Sequence, residues 1–528
     1  MLLMRRLALI LLSISLITAG SSALATEPEG ELILGIVSTK TMNLRPLEPM
    51  ERDLQSIYGI VYDSLIEIND DYRPSPRLAK SWVESNGGRT WTFTLQENVT
   101  FSDGTPLTAN DVVATTNYIL EKANQEQSAE EDAPQVERGY YQNLRYFVEK
   151  VSATDDHTVV FTANRSRSYY GFLYALIYPI LPAAHLESEN PPGTGAYVIR
   201  QFEPQDYMWL QANGNWWQTA PSIQEIMVIF HANNKDLINS YEYSRVDALF
   251  TRNIAAAQYK TGISSVSLDY RARQLEVLFM SHREQALQSL NMRKAIRALI
   301  DVDRIIARTY LGMADRANTI ILPGTWLEKD VPGAFEYNPE LAVQLIEADG
   351  WFDSDGDGVR ERIEGENVRK LHLRLLVYEE PDNDVRVAAA TEIATALEAV
   401  GFSITITVDT YQNVGEKLKN PRSFDLVLCS VNMDPVQDPG FLLTSGNTMN
   451  YGRYSSSTMD GLVKDLRASP SSDAYQENLR KIQEVFAEDC PFISLYYRKG
   501  VVVSRKMYTL ARQVRELELL RGIDVYGR

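Results

Sequence analysis

The chain has 528 residues, of which 44% are hydrophobic and 23% are charged, and its formal net charge is −18. This length suggests about three domains, and the acidic balance argues against nucleic acid as a partner, because phosphate binding needs a basic surface. After the N-terminal segment, no apolar run is long enough to be expected to span a membrane.

Residues 1–25 have the features of a secretory signal peptide. Arg5 and Arg6 precede the apolar run LALILLSISLITAG, and Ala23-Leu24-Ala25 is an A-x-A cleavage site. The apolar run is short for a spanning helix, which needs about 20 residues, but an uncleaved anchor stays open as an alternative. We therefore expect an exported protein, in the periplasm or at the outer face of the cytoplasmic membrane.

The residues that follow predict a buried strand and then two hairpins. ELILGIV (Glu31–Val37) is predicted to be the buried strand. RLAKSWVES and RTWTFTL alternate polar and apolar residues on either side of the turn signal Asn86-Gly87-Gly88. A further hairpin is predicted to turn at Asp155-Asp156.

The stretch WTFTLQENVTFSDGTPLTANDVV predicts a strand, a turn and a capped helix. Asp103-Gly104 marks the turn, and Thr108 is a good N-cap for the helix that begins with ANDVV. Asp111 comes three residues later, where its carboxylate can reach back to the cap. The stretch displays no nucleophile or general base, so we interpret it as a scaffold.

Between Leu275 and Tyr497 predicted strands alternate with predicted helices. NMRKAIRALIDVDRIIARTYLG has a 3.6-residue apolar period and predicts one continuous helix. KLHLRLLVY, FSITITVD and FDLVLCSV are predicted strands, and DVRVAAATEIATALEAVG is a predicted helix. This alternation predicts an α/β domain with a largely parallel sheet.

Several segments, taken in their order along the chain, resemble one known family. They are YDSLIEIN, RPSPRLAKSWVES, WTFTLQENVTFSDGTPLTANDVV, GTGAYVIRQF, NGNWWQTAPSIQEI, RKAIRALIDVDRII, YNPELAVQLIEADGWFDSDGDG, FDLVL, QDP, NYGRYSSSTMDGLV and PFISLYY. The chain thereby resembles the family 5 extracellular solute-binding proteins, which are the dipeptide-, oligopeptide- and nickel-binding components of bacterial ABC importers.

The resemblance implies an α/β fold of the two-lobed, type II periplasmic-binding-protein class, with an extra domain and a ligand cleft between the lobes. It assigns residues 26–68, 192–278 and 490–528 to lobe I, residues 69–191 to the extra domain, and residues 279–489 to lobe II. Closure of such a cleft is a hinge motion, and the membrane subunits of the transporter would distinguish the closed form from the open one.

The resemblance also implies a function. The protein would capture di- to oligopeptides and deliver them, as a monomer that requires no cofactor, to ABC permease subunits that work with separate ATPase subunits. The alternatives are a binding protein for nickel, a metallophore or another small solute, and a sensor that presents its ligand to a membrane receptor. An enzyme is not expected, because the phosphate-binding, H-E-x-x-H and G-x-S-x-G motifs are all missing.

The loop NMDPVQDPGFLL (Asn432–Leu443) is the best candidate for ligand binding. It follows the predicted strand FDLVLCSV, and ligands of open α/β sheets bind beyond the carboxyl ends of strands. In the peptide-binding relatives an aspartate of this loop pairs with the α-ammonium group of the ligand, so the resemblance makes Asp438 and Asp434 the two candidates. Alternatively, one of them only caps the helix that starts near Phe441.

Two aromatic residues are further candidates for the ligand site. Trp326 follows Pro323-Gly324 in ILPGTWLEKD, and Tyr451 belongs to NYGRY. Aromatic rings of this kind line clefts as well as cores, so we interpret both as candidate walls of the cleft, with ordinary packing as the alternative.

The segment DSDGDGVRERIE (353–364) has the spacing of a calcium-binding loop. Asp353, Asp355 and Asp357 occupy positions 1, 3 and 5, Gly358 occupies position 6, and Glu364 occupies position 12. Alternating carboxylates and a distal glutamate supply the hard oxygen ligands that calcium prefers. The alternative is a plain acidic hairpin before a strand.

The two cysteines, Cys429 and Cys490, flank apolar strand-like segments. Export would place them in an oxidising compartment, where one disulfide can form. Two buried free thiols are the equally open alternative.

Overall fold

The computed structural model describes residues 30–38, 43–48, 51–128, 141–164, 169–261, 265–329, 331, 336–380, 383–420, 422–433, 436–505, 514–516 and 518–520. The predicted signal peptide, residues 1–25, lies outside these ranges. Within them, every helix falls short of the combination of length and hydropathy that crossing a bilayer requires.

The strands of the described residues are, in chain order, β1 (Glu31–Val37), β2 (Ile66–Ile68), β3 (Pro74–Pro76), β4 (Ala79–Ser85), β5 (Thr90–Leu95), β6 (Val148–Asp155), β7 (Thr158–Ala163), β8 (Tyr197–Glu203), β9 (Tyr207–Ala212), β10 (Glu225–His231), β11 (Ala248–Thr251), β12 (Ser265–Met280), β13 (Ala314–Arg316), β14 (Glu361–Glu364), β15 (Asn367–Lys370), β16 (His372–Tyr378), β17 (Ser403–Asp409), β18 (Leu426–Asn432) and β19 (Phe492–Arg505).

The α-helices of the same residues are α1 (Arg52–Val61), α2 (Ala109–Ser128), α3 (Tyr169–Tyr174), α4 (Asn234–Glu242), α5 (Gln285–Gln288), α6 (Leu290–Leu299), α7 (Val302–Arg308), α8 (Pro339–Ala348), α9 (Val385–Glu398), α10 (Tyr411–Lys419), α11 (Gly440–Leu443), α12 (Ser457–Arg467) and α13 (Ser472–Asp489). Short 3₁₀ helices span Gln142–Tyr146, Ala183–His185 and Ile254–Thr261.

One large mixed sheet runs through both lobes. Its strand order is β17-β16-β18-β12-β19-β11-β1-β10-β9-β8, with β13 paired to β19. The strands from β11 to β8 fall within the residues that the resemblance assigns to lobe I, and those from β17 to β18 fall within the residues that it assigns to lobe II. The long central strands β12 and β19 pass through both halves and join the lobes.

The sheet of lobe II is less parallel than its sequence predicts. β16 pairs in parallel with β17 and with β18, as expected for strands joined by helical crossovers. However, β12 pairs antiparallel with both β18 and β19. The prediction of a largely parallel sheet therefore holds for the outer strands and is wrong for the strands that join the lobes, whose pairing partners are distant in sequence.

Both faces of the lobe II sheet are buried. On β16, Leu375 and Val377 face one core cluster, which also contains Ile393 of α9. The alternating residues Leu376 and Tyr378 belong to a second cluster on the other face. Burying an apolar side chain of this size contributes about 1.5–3 kcal/mol, and the near-continuous apolar runs of these strands follow from burial on both faces.

A separate antiparallel sheet, β4-β5-β7-β6, lies within residues 69–191 and has its own core. The ring of Trp91 on β5 stacks on Phe172 at a centroid distance of 5.0 Å. Asn86, Gly87 and Gly88 all have positive φ values and form the predicted turn between β4 and β5. The predicted hairpin at Asp155-Asp156 also forms, between β6 and β7.

The predicted contact between Asp111 and the cap residue Thr108 is present at the start of α2. The Asp111 carboxylate accepts hydrogen bonds from the Thr108 backbone N–H (2.8 Å) and hydroxyl (2.9 Å). Its other oxygen accepts the backbone N–H of Ala183 at 2.9 Å. The same carboxylate therefore starts the helix and holds the segment that leads back towards lobe I.

The helix predicted over NMRKAIRALIDVDRIIARTYLG is wrong in its continuity. Ile300 has an extended backbone conformation (φ −90°, ψ 109°) and ends α6. Asp301 then starts α7 by accepting a hydrogen bond from the Arg304 backbone N–H at 2.9 Å. Aspartate at an N-cap satisfies a helix donor, and the break lets Ile300 and Ile305 both enter the lobe II core.

Cys429 and Cys490 are buried free thiols, so the structure contains no disulfide between them. Burial raises the pKa of Cys429 to about 12, and burial likewise raises the pKa of Cys490. A thiol held protonated in this way is a poor nucleophile. The alternative of two structural thiols is therefore the one that the fold adopts.

Candidate functional site

The parallel strands of the two lobes end opposite each other. β11 ends at Thr251, which pairs with Val501 of β19, and β18 ends at Asn432, which pairs with Gln274 of β12. Val501 itself lies opposite Asp269 of β12. The two strand ends therefore lie level with Asp269 and Gln274 of β12. At about 3.3 Å per residue along β12, they are separated by roughly 15 Å. We call the space between them the inter-lobe cleft.

The floor of the inter-lobe cleft is irregular. The register between β12 and β19 shifts between Arg271 and Leu275, so that four residues on β12 span what two residues span on β19. Bulges of this kind bend a strand, leave residues out of the ladder, and are frequent beside binding sites. Gln274 of β12 therefore lies where its side chain can connect elements of both lobes.

A chain of polar side chains crosses the floor of the cleft. Arg252, which follows β11, donates from Nη1 to Gln274 Oε1 at 3.0 Å, and Gln274 Nε2 donates to Ser430 Oγ at 2.7 Å. Ser430 Oγ lies 2.7 Å from the hydroxyl of Tyr378, the last residue of β16. Burial raises the pKa of Tyr378 well above its usual value, so this hydroxyl stays protonated. The floor is thus polar and uncharged on the lobe II side.

A cavity of about 590 Å³ opens at the cleft, a size in the range of small-molecule sites. Its lining comes from three separate segments, which follow β10, β11 and β16. The lining residues are Asn233, Lys235, Ile238, Asn239, Glu242, Asn253, Ala255 and Asp384. The cavity therefore presents one ammonium group, carboxylates and several amides to a ligand.

The lobe I wall of the cavity is mainly one flank of α4, from Asn233 at its start to Glu242 at its end. Asn233 Oδ1 accepts the backbone N–H of Asp236 at 2.8 Å and so caps α4, and Lys235 lies in the first turn. Asn253 Oδ1 accepts the backbone N–H of Ala255 at 2.9 Å at the start of the adjacent 3₁₀ helix. The wall therefore carries the ammonium of Lys235 near the start of α4, where the helix also has a partial positive charge, and the carboxylate of Glu242 at the end of α4.

The lobe II wall is held by a buried network of charges. Asp384 precedes α9, and Arg386 in the first turn of α9 pairs with Glu276 of β12 at 3.0 and 2.6 Å. Arg386 and Glu276 are both fully buried. Glu380 contacts Arg386 and Arg498; burial alone would raise its pKa, but the two arginines lower it. The network fixes the start of α9, and with it Asp384, against the strands that join the lobes.

The predicted ligand residue Asp438 has partners within lobe II. Its Oδ1 accepts the backbone N–H of Gly440 at 2.7 Å, and Arg467 Nε donates to its Oδ2 at 2.6 Å. Asp438 thus lies just before the short helix α11 and binds its first backbone N–H, while its predicted role in ligand binding stays a prediction. The other candidate, Asp434, lies outside the described residues.

The two predicted aromatic residues lie apart from the cavity described above. Trp326 is half-buried, and the guanidinium of Arg73 lies 4.2 Å from the centroid of its ring. Tyr451 is also half-buried and contacts Phe279 edge to face at 5.4 Å; burial raises its pKa. Both rings pack against the second lobe II core, together with Tyr72 of the N-terminal half.

The predicted calcium-loop residues do not all meet. Asp353 and Asp355 come together with Glu361, whereas Glu364 pairs with Arg362 in the hairpin β14–β15. Asp357 is bound by Lys370. Glu364 lies apart from this cluster because the hairpin turns its side chain towards Arg362, and its predicted role as a calcium ligand stays a prediction.

Most of the cavity lining was missed by sequence reasoning. The pattern Asn233-x-x-Asp236 is a helix-start signal that follows a predicted strand, so it could have located the lobe I wall. Asp384 likewise precedes a predicted helix. Neither signal indicates which other segment lies opposite.

Comparison with known proteins gives a consistent result. The sequence model "Bacterial extracellular solute-binding proteins, family 5 Middle" matches residues 73–452. The oligopeptide-binding protein AppA of Bacillus subtilis is 22% identical over 508 residues, covering 91% of this chain and 88% of that protein. The nickel-binding periplasmic protein of Escherichia coli is 25% identical over 502 residues, covering 89% and 90%.

Solved structures show the same fold. The ABC transporter substrate-binding protein CtaP of Listeria monocytogenes superposes with a TM-score of 0.79 at 19% identity, covering 94% of this chain and 99% of that one. NikA of Brucella suis, solved in complex with Fe(III)-EDTA, superposes with a TM-score of 0.77 at 17% identity, covering 95% and 99%. These likenesses establish a two-lobed α/β architecture.

Proposed function

The chain belongs to the bacterial extracellular solute-binding proteins of family 5, and we propose that its solute is a peptide, from dipeptide to oligopeptide in length, which it delivers to the permease of an ABC importer. AppA, which aligns with most of this chain, is an oligopeptide-binding protein. The chain would act in the periplasm or at the outer face of the membrane, as a monomer, with ATP hydrolysis left to separate subunits.

The observation that carries the proposal is the charge arrangement of the cavity. In lobe I, Lys235 contributes an ammonium near the start of α4 and Glu242 contributes a carboxylate at its end, while Asp384 contributes a carboxylate from lobe II. A peptide carries an ammonium and a carboxylate at its ends, whatever its side chains are. Charge-assisted hydrogen bonds to these constant groups bind many sequences, which suits an importer of mixed peptides.

The connection between the lobes provides a means of closure. β12 and β19 are the long strands that join the lobes, and a ligand that touches both walls stabilises the closed form over the open one. Two lobes that are joined by a few strands can close around a ligand by a hinge motion. The permease can then distinguish loaded from empty protein by the relative position of the lobes.

Native mass spectrometry tests the proposal directly. The exported protein is purified gently, its intact mass is measured, and it is then denatured to release the ligand. Peptide masses in the released fraction are the expected result. A single non-peptide mass, such as a nickel chelate, would contradict the peptide proposal and favour the metallophore alternative. The cavity lining within the described residues contains no histidine, the side chain that nickel commonly binds.

If the protein emerges empty, a thermal-shift screen replaces the first measurement. Di-, tri- and pentapeptides with free termini are compared with the same peptides acetylated and amidated. A ligand that binds only the folded state raises the melting temperature. The proposal requires a shift with the free peptides, and it fails if only sugars or nickel chelates produce one.

A further inference from the structure

A second cluster of carboxylates lies in lobe II, between α8 and the hairpin β14–β15. One oxygen from each of Asp353, Asp355 and Glu361 lies within 4.8 Å of the others. The cluster is separate from the inter-lobe cleft, and none of its members lines the cavity there. Three carboxylates at this spacing repel one another unless a positive charge lies among them.

The backbone curls around this cluster. Asp353 Oδ1 accepts the backbone N–H of Gly356 at 2.8 Å, and its Oδ2 accepts that of Gly358 at 3.1 Å. Both glycines have positive φ values, +77° and +87°, which glycine adopts without steric cost. Asp355 Oδ1 accepts the backbone N–H of Asp357 at 3.1 Å. The loop is thus a compact turn that brings Asp353 and Asp355 to one side.

The burial and hydrogen bonding of Glu361 provide a second observation, which does not depend on the number of acidic residues in the cluster. Its side chain is only 4% exposed, and its Oε1 accepts the backbone N–H of Ser354 at 2.8 Å. Its Oε2 is buried and has no hydrogen-bond partner among the residues that the structure describes. A buried carboxylate oxygen without a partner is costly, and the oxygens of Asp353 and Asp355 beside it can only add repulsion. A cation at this point would remove the cost.

Lys370, which lies opposite Glu361 in the hairpin, brings a positive group to the loop. Its ammonium binds the Asp357 carboxylate and lies 3.4 Å from Asp355 Oδ2. The Lys370 side chain is 45% exposed, so it can turn outwards with Asp357. One ammonium therefore neutralises the outer part of the loop and leaves Asp353 and Glu361 without a cationic partner in these contacts.

We propose that Asp353, Asp355 and Glu361 form a calcium-binding site in lobe II. The donors are all hard oxygens, which favours calcium or magnesium over zinc. Calcium accepts irregular coordination at the flexible turn, whereas magnesium demands near-ideal octahedral geometry and keeps its waters. Extracellular calcium modules bind with dissociation constants of about 10⁻⁴–10⁻³ M, which suits an exported protein. The ion would tie the segment after α8 to the hairpin β14–β15.

Isothermal titration calorimetry of the full-length mature protein, treated with a chelator and then titrated with calcium chloride, tests the site. We expect one site per chain. Terbium provides a second readout, because Trp351, which is 1% exposed and two residues from Asp353, would sensitise the luminescence of a bound lanthanide. Calcium should displace the terbium signal, and magnesium should displace it more weakly.

Two glutamates of the same hairpin give a matched pair of variants. Glu361→Gln should weaken calcium binding at least tenfold, while Glu364→Gln, which changes a residue paired with Arg362, should leave binding unchanged. If Glu361→Gln unfolds, the exposed Asp355→Asn takes its place and should show the same loss. Lys370→Met should tighten binding, because the competing ammonium is gone.

Three results would overturn the proposal. They are the lack of both heat and terbium luminescence in the wild-type protein, a loss of binding in Glu364→Gln with Glu361→Gln unaffected, and weaker binding in Lys370→Met. None of these measurements involves peptide binding, so they test the calcium proposal independently of the proposed function.

Discussion

The guanidinium of Arg73 lies 4.2 Å from the centroid of the Trp326 ring. Arg73 belongs to the turn between β2 and β3, whereas Trp326 belongs to lobe II, so this contact joins the N-terminal half of the chain to lobe II. Neighbouring rings reinforce it, since Tyr72 packs against the same lobe II core. We expect the contact to break when the two halves separate, and therefore to stabilise the closed arrangement.

Arg73→Ala should accordingly weaken ligand affinity without touching the ligand. A cation–π contact of this kind contributes about 0.5–1 kcal/mol, which corresponds to a two- to fivefold rise in Kd. Titration calorimetry with a co-purified peptide measures the change. Lys122→Ala is the control, because Lys122 stacks on Tyr118 within the single helix α2; an equal loss in both variants would show that closure is not involved.

Lys235→Ala should weaken the binding of a peptide that has a free carboxyl terminus. Loss of a charge-assisted hydrogen bond costs about 1.5–3 kcal/mol, and the start of α4 can compensate only part of it. The measurement compares a free peptide with its C-terminally amidated form. Wild type should prefer the free acid and Lys235→Ala should not. Lys80→Ala, an exposed site in the extra domain, should keep the preference.

Asp434 and Asp438 should separate in their effects. Asp438 starts α11 and pairs with Arg467, so Asp438→Ala should lower the free energy of unfolding by about 1–2 kcal/mol with little change in Kd. Asp434→Ala should instead weaken peptide binding by at least ~2 kcal/mol, as a charge that loses its partner does. Urea unfolding and calorimetry are measured on both variants; N-terminal acetylation of the peptide should abolish the effect of Asp434→Ala. The reverse pattern would make Asp438 the ligand residue.

The stability of lobe II should depend on pH through His282. Burial, and then the charge of Arg293, lower the pKa of His282 to about 4; its Nε2 lies 2.9 Å from the Pro491 carbonyl oxygen. The folded state thus binds the proton less readily than the unfolded state, in which the pKa is about 6.5. Stability from the neutral ring is fully present above that value and is lost as the pH falls towards 4.

Between pH 7 and pH 5 this one histidine should lower the free energy of unfolding by about 2 kcal/mol. Urea unfolding of wild type and His282→Gln at the two pH values gives the difference. Burial also lowers the pKa of His231, so the variant should retain a smaller pH dependence of the same sign. An unchanged slope in His282→Gln would show that His282 titrates normally in the folded protein.

Much of the local structure was predictable because it depends on neighbouring residues. The turn Asn86-Gly87-Gly88 and the cap formed by Thr108 and Asp111 are short-range signals, and both are present. The order of the family segments predicted the two-lobed α/β class. By contrast, NMRKAIRALIDVDRIIARTYLG was predicted to be one helix, because its apolar period does not reveal the break that precedes the N-cap Asp301.

Partner choice over long separations was not predictable. Asp438 pairs with Arg467, 29 residues away, a partner that its position in the loop did not indicate. Glu361 rather than Glu364 joins Asp353 and Asp355, because the hairpin register decides which side chain turns towards the loop. A spacing rule counts residues along one chain segment and takes no account of the strand that pairs with it.

By itself, then, the amino-acid sequence determined the hairpins, the capped helix start at Thr108, the family and the fold class, since these depend on periodicity, capping and turn chemistry within short segments. Only the tertiary structure decided the walls of the inter-lobe cleft. Lys235, Asn253 and Asp384 come from three segments that share no local pattern, and they face one another because β12 and β19 place the strand ends of the two lobes on opposite sides of the inter-lobe cleft. That arrangement is set by the pairing of strands far apart in sequence, which depends on the packing of the whole chain.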